Sequence, residues 1–194
     1  MAMARKYEFK PDRQRTSLLS KLSLTKHQKL NLLKWSLYGL CLLLLSLLQD
    51  MVLCRFRVLG ATTELLPCAI FVICLLQSPE DGSVFALVAS FMYLFTGASP
   101  GMYVPALITF LAVGALFLRQ SYLQRGFGSI LLCTVGAMAV YELCVYFVSL
   151  FLQLTRPDRF VGFMITAGLS LISVPVLYPL FAKISRIGGN AWND

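Results

Sequence analysis

Long apolar stretches alternate with short polar connections along most of this chain. Six of them, over residues 35–53, 63–78, 83–98, 102–118, 128–152 and 161–182, approach the length a helix needs to cross a membrane. That length is about 20 mostly apolar residues for a hydrocarbon layer roughly 30 Å thick. The pattern predicts an all-α fold: a polytopic membrane helical bundle of six transmembrane helices, both termini cytoplasmic. Residues 1–24 read as a basic tail, 25–186 as the transmembrane domain and 187–194 as a second short tail. Little chain is left for a water-soluble domain, so the function is expected within or beside the bilayer. The first run starts far from Met1 and no small-residue cleavage site follows it, so it reads as a retained helix and not a signal peptide.

Local signals refine these elements. Thr25-Lys26-His27-Gln28 has capping-box spacing, and a helix starting there runs on into the first span. Lys29 and Lys34 are then expected near the headgroups, with Trp35 and Tyr38 at the interface. Leu18, Leu19 and Leu22 could form a short surface-lying turn. Gln77 to Gly82 reads as a turn and a helix start, with Glu80 and Asp81 where the helix dipole favours negative charge. Gly82, Ala86 and Ser90 follow at intervals of four, a stripe that lets helix backbones approach closely, either inside the bundle or against a partner. Pro67, Pro175 and Pro179 are expected to bend their spans, and Pro105 fits the first turn of the fourth helix.

Composition agrees with lipid as the surroundings. Hydrophobic residues make up 58% of the 194 and charged ones 13%, against soluble averages of about half and a quarter. Mean hydropathy is +0.74. The net charge of +8 is a matter of placement: nine of the seventeen basic residues lie in the first 34 positions. Alternating six helices puts that tail on one side with Arg119, Arg125, Lys183 and Arg186, and leaves Arg55, Arg57, Arg156 and Arg159 opposite. Basic residues mark the cytoplasmic side, hence the placement of the termini, and they attract anionic lipid. No nucleic-acid partner is expected.

Cys41, Cys68, Cys74, Cys133 and Cys144 all fall within apolar runs and read as small packing residues. With His27 the only histidine, ligand sets for zinc, haem or iron–sulfur clusters are missing, and no cofactor is expected. No phosphate-binding loop or nucleophile–base pair is present in the sequence, so the chain reads as a non-enzyme.

Glu142 is the costliest residue, an acid near the middle of the fifth apolar run. It should be protonated, paired or facing a protein-lined cavity. Tyr141 precedes it, Tyr146 lies one helical turn on as a hydroxyl partner, and no second buried carboxyl is expected at that depth. Helix–helix hydrogen bonding, partner binding, and ligand or proton chemistry all remain open for it. Asp50, Arg55, Arg57 and Glu64 are expected to pair at the outer interface or to meet a substrate or partner there.

The order of signals from about Leu42 to Ile184 resembles the MreD family of bacterial rod-shape membrane proteins. Leu47-Leu48-Gln49, Leu59-Gly60 and Thr63-Glu64-Leu65-Leu66 look like that family's first span, Gln, loop and Pro-Asp-Leu-Leu approach to the second helix, with Thr-Glu in place of Pro-Asp. Gly82, Phe85-Ala86-Leu87-Val88-Ala89 and Thr96 to Tyr103 are similar to its glycine-rich third helix and Ser-Gly-Gly-Pro-Leu-Gly-Leu turn. Tyr141-Glu142-Leu143 and Val174-Pro175-Val176-Leu177-Tyr178-Pro179-Leu180 resemble its Tyr-Glu-Leu and Leu-Pro-Leu-Tyr-Pro-Leu segments. Tyr93 departs from the family, standing where many members place Asp.

The resemblance implies a non-enzymatic scaffold of the bacterial plasma membrane, part of the cell-shape machinery or elongasome. It would bind MreC and link it, with MreB, to the glycosyltransferase and transpeptidase of peptidoglycan synthesis. Candidate helix-packing or partner-binding residues are Glu142, Tyr141, Gly82, Ala86, Ser90, Glu64, Pro175 and Pro179. The alternative is the substrate-binding S component of an energy-coupling-factor vitamin transporter, a six-helix protein of similar architecture. Such a protein should show polar and aromatic groups converging in the outer half of the bundle.

Overall fold

A computed structural model describes residues 26–55, 63–97, 99–122 and 126–187. The basic tail, Thr25 of the capping box, the Leu18–Leu22 turn, Arg57, Leu59-Gly60 and Arg125 lie outside the described residues. The described chain is helical throughout, without a strand. Its helices are α1 (Lys26–Met51), α2 (Leu65–Leu76), α3 (Pro79–Phe95), α4 (Val104–Tyr122), α5 (Phe127–Phe151), α6 (Phe160–Ile172) and α7 (Val174–Ser185). Short 3₁₀ turns at Leu53–Arg55 and Pro157–Arg159 follow α1 and precede α6.

Three helices, α1, α4 and α5, are long and apolar enough to cross a membrane, and a fourth crossing results if α6 and α7 count as one bent span. The sixth apolar run is therefore broken. α6 ends at Ile172, and α7 departs at 45° after Ser173, with Pro175 in its first turn. A proline is favoured there because it has no amide to leave unsatisfied. Pro179 lies inside α7, where it removes the donor that would bond the carbonyl four residues back. Pro67, expected to bend its helix, instead occupies the first turn of α2, where no intrahelical donor is lost.

α2 is the hub. Its 12 residues span about 18 Å at 1.5 Å per residue, and every residue from Leu65 to Leu75 is buried. It touches each of the other six helices. A helix that is apolar all round is one enclosed by protein. The sequence LLPCAIFVICLL has no polar face to offer water or lipid headgroups, which is why its neighbours wrap it.

The outside of the bundle is apolar as well. Phe95, Phe110, Phe147, Phe151, Leu132 and Val176 are each at least 60% exposed. Soluble monomers rarely expose contiguous apolar surface on this scale, whereas hydrocarbon accepts it. Together with the long apolar helices, this surface fits a membrane protein.

Candidate functional site

Polar side chains in the interior gather at the two ends of α2. At its beginning, the free amides of a helix N-terminus need acceptors, and the local N-cap residue, Glu64, supplies none from its side chain. The acceptor comes from α1. Gln49 Oε1 receives the amides of Leu65 at 2.9 Å and Leu66 at 3.1 Å. The Glu64 amide donates to Ser170 Oγ of α6 at 2.9 Å, and Ser170 passes its own proton to the Thr166 carbonyl at 2.8 Å. Pro67, next in line, has no amide. Every orphan donor of this end is thus met by another helix or is absent, as buried backbone requires.

The carboxyl of Glu64 is thereby freed from capping and turns to tyrosines. Tyr93, near the end of α3, donates its hydroxyl to Glu64 Oε2 at 3.4 Å. Tyr141 and Glu142 of α5 are buried beside this pair, at 0% and 1% exposure, and both interact electrostatically with Glu64. Tyr103, just before α4, interacts with Glu64 and Ser149. Among the described residues Glu142 Oε1 has no hydrogen-bond partner, while the Tyr141 hydroxyl stands near both Glu64 and Tyr93.

Two expectations are corrected here. Tyr146 does not serve Glu142; its hydroxyl donates to the Pro157 carbonyl at 3.3 Å, and its ring packs edge-on against Phe147, Phe160 and Phe163. A second carboxyl does lie near Glu142: Glu64, half-buried, stands at the N-terminus of α2, whose amides Gln49 and Ser170 hold against the bundle. Glu64 thus meets tyrosines and Glu142, and among the described residues no ion pair joins Asp50 to Arg55.

At the other end of α2 a second network forms. Lys34, expected near headgroups, is only 4% exposed and donates from Nζ to Gln77 Oε1 at 2.9 Å. Gln77 Nε2 donates to the Tyr38 hydroxyl at 2.8 Å, and Tyr38 donates to the Phe181 carbonyl of α7 at 3.3 Å. Each donor faces an acceptor, so the chain from ammonium to carbonyl is satisfied in one direction. The Lys34 ammonium also stands 5.3 Å from the centre of the Trp35 ring, a cation–π distance. Tyr38, expected at the interface, is fully buried among Trp35, Phe85 and Phe181.

The small-residue stripe lies along buried faces of α3. A Cβ on Gly82 would stand 2.8 Å from the Cys74 carbonyl oxygen and 3.1 Å from Leu116 Cδ1, so α2 and α4 both approach its bare backbone. Ala86 and Ser90 are fully buried, and Ser90 Oγ lies 2.9 Å from the Leu87 carbonyl and 3.3 Å from Thr109 Oγ1 of α4. On the same helix Phe85 is buried beside Trp35, while Phe91 and Phe95 are exposed.

The structure therefore brings Glu64, Tyr141 and Glu142 together, places Gly82, Ala86 and Ser90 along the α3 packing faces, and sets Pro175 and Pro179 in α7. Lys34, Gln49 and Gln77 are interior polar residues that no periodicity singles out. The one available signal was the turn spacing of Lys34 and Tyr38, which puts both on one side of α1. No protein family, no curated protein and no solved structure matches this chain.

Proposed function

We propose that this chain is a non-enzymatic scaffold of the bacterial plasma membrane, with six membrane crossings and cytoplasmic termini. Its place is in the cell-shape machinery, joining MreC and MreB to peptidoglycan synthesis. One observation carries the reading. The positions on which the MreD resemblance rests coincide with joints between helices: Gln49 capping α2, Gly82 under Cys74, Tyr141-Glu142 beside Glu64, and Pro175 at the α6–α7 break. A protein acting through packed surfaces has its distinctive residues where helices meet, and those joints set the shape offered to partners.

In this topology the Lys34–Gln77 network lies toward the cytoplasm and the Glu64–Glu142 cluster toward the outer face. Basic residues of the tail and of Lys183 and Arg186 orient the bundle. Purification of the full chain in mild detergent should recover MreC or another elongasome member. Recovery of transporter ATPase subunits with a bound vitamin would overturn this reading. It would support the S component, which the convergence of Tyr93, Tyr103 and Tyr141 on Glu64 favours as a second reading. Reporter fusions to both termini and to the α3–α4 turn test the crossings. Cytoplasmic termini with an external turn are expected.

A further inference from the structure

Two carboxyl groups from different elements, the half-buried Glu64 that precedes α2 and the fully buried Glu142 in the body of α5, interact electrostatically. The other titratable groups acting on them are phenols, Tyr93 of α3 and Tyr141 of α5, with Tyr103 ahead of α4. The facing groups from α1 and α6 are uncharged: Gln49, bound to the Leu65 and Leu66 amides, and Ser170, bound to the Glu64 amide. Among the described residues no lysine or arginine acts on either carboxyl. Two ionised carboxylates so placed repel each other and are strongly disfavoured in a low-dielectric interior unless a positive charge meets them.

One enclosed atom, Glu142 Oε1, also has no hydrogen-bond partner among the described residues. Buried polar atoms left unsatisfied carry a desolvation cost, and such atoms mark places where an ion, water or proton belongs. The facing acids and the unpartnered oxygen occur at the same spot. All the groups there offer oxygen, the donor atom that hard cations and protons prefer.

We propose that Glu64 and Glu142, framed by Tyr93 and Tyr141, form a buried site for one monovalent cation, either a proton or a sodium ion. As a proton, the cation makes one carboxyl an acid that hydrogen-bonds within the cluster and leaves the other as a carboxylate held by the tyrosine hydroxyls. As sodium, it is bound by carboxylate and phenol oxygens. In both cases a single positive charge joins α2, α3 and α5. The inference stands apart from the scaffold reading, and the failure of either leaves the other intact.

The test uses the purified full chain in lipid nanodiscs, with infrared difference spectra of the carboxylic-acid C=O stretch at neutral pH. In sodium-free buffer the expected result is an acid band that is lost in E142Q or E64Q. Addition of sodium chloride then separates the sources. A band that disappears, with saturable heat of sodium binding by calorimetry, identifies sodium; an unchanged band identifies the proton. The absence of an acid band in sodium-free buffer together with no spectral response to sodium would overturn the proposal. So would a band that survives in the E64Q/E142Q double variant. If the Gln variants do not fold, Y141F keeps both carboxyls and removes one hydroxyl. A shifted band is expected, and an unshifted one removes the site from this cluster.

Discussion

Lys34 Nζ donates to Gln77 Oε1 at 2.9 Å, joining the first helix to the end of the buried central helix. Removing the neutral acceptor of this ammonium leaves it only the Asp81 charge and the Trp35 ring nearby, at a cost of about 1.5–3 kcal/mol. Q77L should therefore destabilise the protein by that order in a denaturant titration monitored in micelles. The double variant K34M/Q77L should recover most of the loss, because neither partner is then left alone. Equal stability of the single and double variants would show that the ammonium is not held by Gln77.

Gln49 caps a helix to which it does not belong. Q49L leaves the Leu65 and Leu66 amides without an acceptor, and each buried amide so orphaned costs about 1–3 kcal/mol. The expected result is a loss of about 2–4 kcal/mol, with hydrogen exchange accelerated at the start of α2 before it is at the end. Unchanged protection of those two amides would contradict the capping.

Gly82 and Gly114 should respond in opposite directions to the same added methyl group. G82A places a Cβ against the Cys74 carbonyl and Leu116 and should cost about 1–3 kcal/mol as an overpacked contact. Gly114 on α4 has nothing within 4 Å of its Cβ position, so G114A should be neutral or stabilising by up to about 1 kcal/mol through helix propensity. Thermal unfolding of the two variants side by side decides it. A tolerated G82A would mean that α2 and α3 can separate without loss.

Much of the architecture was legible from local pattern. The helices fall within a few residues of the apolar runs, and α3 starts where Ser78 and the Pro79-Glu80-Asp81 segment place a helix N-terminus. The all-helical bundle follows from run length and from lipid's demand that backbone groups be satisfied within each segment. The stripe Gly82, Ala86 and Ser90 was also readable, because small residues at intervals of four share one helical face. Glu142 stood out by charge alone.

What the chain by itself determined was which segments are helices and that several of them are long and apolar enough for lipid, because both depend on hydrophobicity and hydrogen bonding within a single run. The tertiary structure alone decided the polar interior. Gln49 reads as the last polar residue of a span, Lys34 as a headgroup lysine and Glu64 as a surface acid, and each reading is correct for an isolated helix. The fold gives each a protein partner that its own run does not show. The 12 residues of α2 are apolar all round, so six neighbours enclose the helix, and the amides at its N-terminal end are met by side chains of other helices. That demand draws Gln49 and Ser170 inward and sets Glu64 near Glu142, while Lys34 reaches the Gln77 side chain just past the other end. Periodicity within a run cannot reveal such a requirement, because it arises only when the ends of one helix meet the side chains of others.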